Sequence, residues 1–290
     1  MAGNDPEKFR ITIIGAGAMG RAIIHTLLAS GELGPEAIIA SDPVDEQRNT
    51  LTTRYGVEVT ADNLDAVKQA DIVVIAVKPQ ILPQVMAELK GSIPEKAFIF
   101  SIVAGMPLKT MCKGFDHKAI IRAMPNTPAQ IGEGMTVWTA TPAVSDEHLE
   151  QARAILNATG KELHVDDEGE LDMATAVSGT GPTYVFLLME ALVDAAVHLG
   201  FSRRDARNLV IQTLYGSVKY AQQSERHLAQ MRNLVTSPGG TSAEAIYQLE
   251  KGGIRTVLSK AVWAAYQKSR VLGERAEDPL EAPLKVDSEG

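Results

Sequence analysis

Apolar and polar positions along the first half of the chain form short apolar runs separated by longer amphipathic stretches. The runs are rich in Ile, Val and Phe, as parallel strands covered on both faces are, and the stretches between them have helical spacing. The predicted strands are Arg10–Ile14, Ala37–Ser41, Asp71–Val77, Ala97–Val103, Ala119–Arg122, Met135–Thr139 and Glu162–Val165. The predicted helices include Ala18–Ala29, Pro79–Lys90 and Asp146–Ala158. This order predicts an α/β domain over residues 1–165 with a mainly parallel, doubly wound sheet.

The pattern changes after Asp166, where strand signals end and long helical stretches follow. They are Thr183–Leu199, Arg203–Gln223, Ala243–Glu250 and Arg255–Gly273. The first is apolar nearly all round, apart from a thin polar stripe of Glu190, Asp194 and His198. Such a helix is buried in folded proteins, so we expect residues 166–275 to form an all-α domain that packs against a second subunit. Residues 276–290 are rich in Pro, Glu and Asp, and we expect them to be disordered.

A glycine-rich turn follows the first predicted strand. The sequence Gly15-Ala16-Gly17-Ala18-Met19-Gly20 fits GxGxxG and leads directly into a helix, the context in which this pattern indicates a Rossmann dinucleotide site. Gly15 permits the tight turn, Gly17 lets the backbone approach the pyrophosphate, and Gly20 lets the helix pack on the strand. The start of the helix offers unpaired N–H groups to the phosphates. We predict that residues 15–20 bind a nicotinamide dinucleotide.

Asp42 ends the second predicted strand, about twenty residues beyond the last glycine, where an acidic residue binds the ribose 2′-hydroxyl. A carboxylate there repels a 2′-phosphate and favours NADH, although Arg48 and Arg54 lie close enough in sequence to weaken that preference. Asp42 is equally suited to cap the next helix, because Asp-Pro is a good helix start. The choice between NADPH and NADH therefore stays open.

The composition of the chain excludes several classes of protein. The chain has 28 basic and 36 acidic residues, which argues against a sequence-independent nucleic-acid binder. Its one cysteine, Cys112, excludes an internal disulfide and fits a reducing compartment. The first residues lack the apolar segment of a signal peptide, and no apolar run reaches the roughly 18 residues that span a bilayer. We expect a soluble, cytoplasmic protein without membrane contact. We also expect no metal, because no histidine has ligand spacing with another His or Cys; the six are His25, His117, His148, His164, His198 and His227.

Five further segments resemble the pyrroline-5-carboxylate reductase family in order and spacing, from about Phe9 to Gly273. They are Ala76-Val77-Lys78-Pro79-Gln80, Ser101-Ile102-Val103-Ala104-Gly105, Met124-Pro125-Asn126-Thr127-Pro128, Ala176–Tyr184 and Val235–Ser242. The resemblance implies reduction of (S)-1-pyrroline-5-carboxylate to L-proline by NADPH or NADH, the last step of proline synthesis. It also implies an interlocked homodimer, with dimers assembled into larger rings such as decamers.

The resemblance places several of these segments around the cofactor, at the carboxyl ends of strands. The cofactor-contacting residues it implies are Asn63, on the adenosine side, and Ala76, Val77, Lys78, Pro79, Ala104, Gly105, Pro125 and Asn126. Any one of these stretches alone also reads as a strand end or turn, because Pro and Asn-Thr-Pro form turns. Together they favour the cofactor site.

The segment Ser237–Glu244 suits a substrate carboxylate, because two glycines open a helix and leave backbone N–H groups free. Thr241-x-x-Glu244 predicts a capping box, which leaves the hydroxyl of Ser242 free for the substrate. Resemblance to the family, which has threonine there, implies that Ser242 donates to the imine nitrogen and is the catalytic residue. The predicted substrate-binding residues are Ser237, Gly239, Gly240, Thr241, Ser242 and Glu168. The acidic neighbours of Glu168, at residues 166–170, favour a solvated acidic hinge over a substrate contact. Glu225 matches an acidic family position of undecided role.

Two other functions fit parts of the pattern. A β-hydroxyacid dehydrogenase needs a general base, usually a lysine on the helix after the domain junction, and no lysine lies between Lys161 and Lys219. A redox sensor that binds the dinucleotide without turnover has no use for a second anion site. Both observations favour imine reduction.

Overall fold

The computed structural model describes residues 9–277, with side chains up to residue 273. The described chain divides into two compact units, one of residues up to 180 together with those from 265 onward, and one of residues 181–264. Residues 166–180 and 265–275, which the sequence grouped with the helical domain, thus belong to the first unit. The tail predicted to be disordered, 276–290, lies outside the described residues from 278 onward, and its first two residues end the last helix.

The first unit contains an eight-stranded sheet in the order β3-β2-β1-β4-β5-β6-β7-β8. The strands are β1 (Ile11–Ile14), β2 (Ile38–Ser41), β3 (Glu58–Thr60), β4 (Ile72–Ile75), β5 (Phe98–Ser101), β6 (Ile120–Met124), β7 (Gly134–Ala140) and β8 (Gly160–His164). All neighbours pair in parallel except β6 and β7, which are antiparallel. The predicted mainly parallel Rossmann sheet is confirmed. Only β3, a three-residue strand without an apolar run, was not predicted.

Helices cover both faces of this sheet. They are α1 (Ala18–Ser30), α2 (Asp45–Tyr55), α3 (Asn63–Val67), α4 (Leu82–Leu89), α5 (Leu108–Phe115), α6 (Asp146–Thr159) and α7 (Glu170–Ala174). Alternate residues of each central strand face opposite layers. Ile72 belongs to a core cluster that includes residues of α1, α2 and α6, and Val73 belongs to one that includes residues of α3, α4 and α5. This double burial explains why the central strands are apolar without alternation.

One predicted helix begins later than expected. The sequence predicts Pro79 in the first turn of a helix, but α4 begins at Leu82, and the proline in its first turn is Pro83. Residues 78–81 form a turn instead, in which the Ile81 N–H donates to the Lys78 carbonyl oxygen at 2.9 Å. The prediction was wrong because a proline suits a turn as well as a helix start.

The second unit is helical. It contains α8 (Gly181–His198), α9 (Arg203–Gln222), α10 (Leu228–Leu234), α11 (Thr241–Lys251) and the first part of α12 (Ile254–Glu277). A π-helical turn, Thr175–Gly179, precedes α8. No residue of α8 is buried within the single chain, and its large apolar side chains are exposed, among them Phe186 (61%) and Leu187 (65%). An uncovered apolar surface of this extent marks an interaction site.

The apolar character of α8 was underestimated from the sequence. By length and composition alone, the helical stretch Glu170–His198 would suffice to cross a membrane, although no apolar run of that length was predicted. Glu190, Asp194 and His198 interrupt the apolar run, yet its mean hydropathy stays high enough for a helix that could cross a membrane. Length and composition are weak evidence, because helices buried in protein interfaces share them.

Candidate active site

The glycine turn after β1 is fixed by the sheet around it. Gly15 has φ +102°, and its N–H donates to the Ser41 carbonyl oxygen at 2.8 Å. A Cβ on Gly15 would lie 2.9 Å from the Ala76 carbonyl oxygen, and one on Gly20 would lie 2.0 Å from the Gly15 carbonyl oxygen. Both glycines are therefore required by close packing of the turn, the helix and the end of β4.

Gly17 lies in a different environment. It is the N-cap of α1, without a side-chain cap, and a Cβ there would meet nothing within 4 Å. Among the described residues, no acceptor pairs with the N–H groups of residues 17–20; the first paired one belongs to Arg21, which donates to the Gly17 carbonyl oxygen at 3.0 Å. Successive unpaired N–H groups at a helix start facing open space fit a pyrophosphate.

Asp42 links the glycine turn to the loop after β2. Its Oδ2 accepts the Ala16 N–H at 2.8 Å, and its Oδ1 accepts the Val44 N–H at 2.9 Å. The N-cap of α2 is Val44, so the interpretation of Asp42 as the cap itself is wrong, although it closes the turn just before that helix. Arg48 donates to the Asp42 carbonyl oxygen at 2.5 Å and pairs with Asp45. The ribose contact of Asp42 stays a prediction.

Asn63 lies beside the carboxyl end of β2. Its Oδ1 accepts the Ser41 hydroxyl at 2.7 Å, and its Nδ2 donates to Glu88 at 2.8 Å. It is the first residue of α3, whose N-cap is Asp62. The side chain is thus held at the carboxyl end of β2, and its contact with the adenosine side stays a prediction.

The carboxyl ends of β4 and β5 carry the segments Ala76–Pro79 and Ala104–Gly105. The Ala76 N–H donates to the Ile14 carbonyl oxygen at 2.8 Å, whereas Lys78 and Pro79 are exposed. Gly105 has φ +68°, and a Cβ there would lie 3.0 Å from the Leu272 Cβ. These residues therefore meet at one edge of the sheet, beside the switch in strand order between β1 and β4, where open α/β sheets bind ligands.

The carboxyl end of β6 carries Pro125 and Asn126. The Asn126 Oδ1 accepts the Met135 N–H at 2.9 Å, and its Nδ2 donates to the Ser178 carbonyl oxygen at 3.3 Å. Asn126 therefore ties the end of β6 to the π-helical turn. Pro125 lines a small cavity with Met19 and Thr136, and the buried Thr136 hydroxyl has no partner within the described part of the chain.

In the second unit, Ser237–Gly240 form a tight turn immediately before α11. The Gly240 N–H donates to the Ser237 carbonyl oxygen at 3.0 Å, and Gly239 has φ +71°. Pro238 followed by a glycine with positive φ is typical of a type II turn. The N–H groups of Gly239, Thr241 and Ser242 have no acceptor in the described residues. The predicted helix start with free backbone N–H groups is thus present, and the binding of an anion there stays a prediction.

The predicted capping box in this segment is wrong. Gly240 is the N-cap of α11, and no side chain caps it. Thr241 occupies the first helical position, and Glu244 instead accepts from Gln248 at 2.8 Å. The prediction placed the helix start one residue too late, because glycine also serves at the N-cap. Thr241 is exposed, and Ser242 is half-buried.

Glu168 is not part of a solvated hinge. Its Oε1 accepts from Arg122 Nη1 at 2.6 Å and from the Leu108 N–H at 2.7 Å. Burial, and secondly the negative charge of Glu168, raise the pKa of the Cys112 thiol, which keeps that thiol protonated and unreactive. The substrate contact predicted for Glu168 stays a prediction, and its observed contacts are internal.

The chain is similar to known proteins in both of its halves. Residues 168–272 match the family model described as pyrroline-5-carboxylate reductase dimerisation, and residues 10–105 match NADP oxidoreductase coenzyme F420-dependent. The pyrroline-5-carboxylate reductase of Synechocystis sp. is 42% identical, over 92% of this chain and 100% of the relative. The chain belongs to the pyrroline-5-carboxylate reductase family.

Solved structures of pyrroline-5-carboxylate reductases have the same fold. The enzyme of Coxiella burnetii has a TM-score of 0.85 at 36% identity, with 92% of this chain and 99% of that chain covered. The NADP-bound pyrroline carboxylate reductase of Plasmodium falciparum also has a TM-score of 0.85, at 30% identity and the same coverage. The resemblance predicted from the sequence is confirmed.

Membership of the reductase family explains the uncovered helix. The family's dimerisation region, 168–272, includes α8, whose apolar side chains are exposed in the single chain. The expectation that this helix packs against a second subunit is supported to the level of a homo-oligomer. Within residues 9–277, no cluster of three or more His, Cys, Asp or Glu side chains is arranged to hold a metal, and independence from metals stays a prediction.

Sequence reasoning missed Arg122, which lies inside the apolar strand Ile120-Ile121-Arg122-Ala123-Met124. A charged residue in the middle of a buried strand requires a partner, and this signal was available. The identity of the partner was not, because Glu168 is 46 residues away.

Proposed function

We propose that this reductase converts (S)-1-pyrroline-5-carboxylate to L-proline with NADPH or NADH, as the names of its relatives indicate. The observation that best supports the proposal is a pair of helix starts, at Gly17–Gly20 and at Gly239–Ser242. The N–H groups of residues 17–20, and those of Gly239, Thr241 and Ser242, have no acceptor in the described chain. A dinucleotide and a carboxylate substrate are both anions, and each requires such a cradle.

The dinucleotide, when bound, supplies the hydride that reduces the C=N carbon. Residues 15–20 hold its pyrophosphate in this proposal. Asp42 and Asn63 face its adenosine half. Ala76–Pro79, Ala104, Gly105, Pro125 and Asn126 surround its nicotinamide half. These assignments rest on position at the carboxyl edge of the sheet.

The substrate carboxylate is bound, we propose, by the N–H groups of Gly239, Thr241 and Ser242 and by the hydroxyl of Ser237. The Ser242 hydroxyl lies at the same helix start and donates to the imine nitrogen, which makes the adjacent carbon more electrophilic. Imine reduction needs no base to remove an alcohol proton, in accord with the absence of lysine between Lys161 and Lys219. Placement and hydrogen bonding are therefore the protein's main contributions.

The proposal extends to assembly and location. A dimer covers α8, and the larger decameric ring and the cytoplasmic location remain part of the proposal. The exposed apolar surface of α8 supports the dimer, because an apolar patch of this extent is normally covered by a partner.

The direct test adds pyrroline-5-carboxylate to the purified protein with NADPH or NADH and follows the loss of reduced-nicotinamide absorbance together with proline formation. We expect stoichiometric proline. Turnover of a hydroxyacid with the oxidised dinucleotide, in place of imine reduction, would favour the dehydrogenase alternative. Dinucleotide binding without turnover of either would favour a sensor.

A further inference from the structure

The carboxylate of Glu168 joins three separate parts of the first unit. Glu168 lies in the linker between β8 and α7, Arg122 lies on β6, and Leu108 is the first residue of α5. One oxygen of Glu168, Oε1, accepts from Arg122 Nη1 at 2.6 Å and from the Leu108 N–H at 2.7 Å. The linker, the central sheet and the loop that precedes α5 therefore converge on a single atom.

This ion pair is sheltered from water. The Arg122 side chain is 8% exposed and that of Glu168 is 32% exposed. Removing two charges from water costs free energy that their attraction only partly returns, so a buried pair is weak evidence for stability. Its hydrogen bonds are charge-assisted and directional. The negative charge at the start of α5 is also favourable to that helix. The pair is thus better suited to fixing a geometry than to stabilising the fold.

The geometry that the pair fixes is that of the loop 102–107. The loop leaves β5 with the Ile102 N–H bonded to the Ile75 carbonyl oxygen at 3.1 Å, and it ends at the N–H that Glu168 accepts. Between these points lies Gly105, which faces Leu272 of the last helix without room for a Cβ. The loop is therefore held by a hydrogen bond at each end and by the contact of Gly105 with Leu272 between them.

Two further hydrogen bonds hold the segment that carries Glu168. Asp172 accepts the hydroxyl of the buried Ser269 at 2.5 Å, and the Ser178 carbonyl oxygen accepts from Asn126 at 3.3 Å. Because Glu168 stands on a segment that is itself anchored, it provides a fixed point for the loop.

We propose that Glu168 and Arg122 are positioning residues, which hold the loop 102–107 so that Ala104 and Gly105 place the nicotinamide for hydride transfer. The inference rests on the proposed function. It assigns to Glu168 a role through Leu108 and the loop, in place of contact with the substrate.

The test compares single turnovers of NADPH oxidation, with enzyme in excess over NADPH and saturating pyrroline-5-carboxylate. Glu168→Gln keeps an acceptor for the Leu108 N–H but removes the charge, and Glu168→Ala removes both. Glu170→Gln is the matched control, because Glu170 is exposed and has no side-chain partner in the described part of the chain. We expect the rate constant to fall about tenfold in Glu168→Gln and about a hundredfold in Glu168→Ala, as for a misplaced reactant, with unchanged amplitude.

A double variant separates an effect on catalysis from an effect on folding. Arg122→Met with Glu168→Met replaces the pair with apolar side chains of similar length, which commonly preserves stability. We expect its melting temperature to match the wild type while its single-turnover rate constant stays low. A rate constant restored to the wild-type value would show the pair to be structural only, and would overturn the proposal.

Two other outcomes also decide against it. A merely structural role lowers the melting temperature and the fraction of enzyme that binds NADPH, and leaves the rate constant of the NADPH-bound enzyme unchanged. A role in substrate binding raises the KM for pyrroline-5-carboxylate and leaves the rate constant at saturation unchanged. A wild-type protein that oxidises no reduced dinucleotide with the imine would overturn the proposed function and this inference together, whereas an active wild type with unaltered variants would overturn this inference alone.

Discussion

The two helix starts that carry unpaired backbone N–H groups, one in each unit, are built in opposite ways. The turn at Gly15–Gly20 is held by the buried sheet, through the Ser41 carbonyl oxygen, the Ala76 backbone and the Asp42 carboxylate. The turn at Ser237–Gly240 is held by one local hydrogen bond and precedes a helix without buried residues in the single chain. The first turn is therefore rigid within one chain, whereas we expect the second to become rigid in the dimer.

The largest effect is expected at the first turn. Gly20→Ala places a Cβ 2.0 Å from the Gly15 carbonyl oxygen, so we expect a loss of about 1–3 kcal/mol in the free energy of unfolding together with loss of dinucleotide binding. Gly17→Ala is the control, since its Cβ meets nothing and should weaken binding alone. Thermal melting and NADPH fluorescence titration distinguish the two. Equal melting temperatures for both variants would contradict the packing role of Gly20.

The next largest effect is expected from disrupting the dimer, because we expect the turn at Ser237–Gly240 to become rigid only there. Phe186→Glu and Leu187→Glu place a charge on side chains that are exposed in one chain, 61% and 65% respectively. We expect both to sediment as monomers with most activity lost, since a buried unpaired charge is costly. Glu190→Gln, on the polar stripe, should remain assembled. Fully assembled, active Phe186→Glu protein would show that α8 lies outside the interface.

Within the second turn, Ser242 and Thr241 should differ in their effects on catalysis. Ser242→Ala removes the proposed donor to the imine nitrogen, and we expect kcat/KM to fall about a hundredfold, as for loss of a transition-state hydrogen bond, without a change in melting temperature. Thr241→Ala should change neither by much, because Thr241 does not cap α11. Steady-state kinetics and melting curves provide the test, and an unimpaired Ser242→Ala enzyme would remove Ser242 from the mechanism.

The smallest effect concerns the choice of dinucleotide. Asp42→Asn retains an acceptor for the turn but removes the charge that repels a 2′-phosphate. We expect the ratio of kcat/KM for NADPH to that for NADH to rise about tenfold, because the Coulomb repulsion between Asp42 and the 2′-phosphate, in a partly solvated site, is removed. Asp45→Asn, which also loses a charge but lies on α2, is the control. A ratio that is unchanged in Asp42→Asn would place Asp42 away from the ribose.

Much of the first turn was predictable because its causes are local in sequence. A strand, three glycines at fixed spacing and a helix lie within twenty residues, and the strand runs were predicted because central strands bury both faces. The predictions that failed were boundaries at proline and glycine, namely the start of α4 and the cap of α11. Both residues are compatible with turns and with helix starts, so the sequence does not separate the two.

The sequence by itself determined the parallel sheet, the glycine turn, the helical second half and the family, because each is encoded by neighbouring residues or by several motifs in order. Only the tertiary structure decided the partners of charged groups. Arg122 meets Glu168, and Asp42 meets the Ala16 N–H, because folding brings together residues that are far apart in sequence. Hydrogen-bond partners depend on how far apart the elements lie in the folded chain, and the local hydrophobic periodicity of a sequence indicates only its helices and strands.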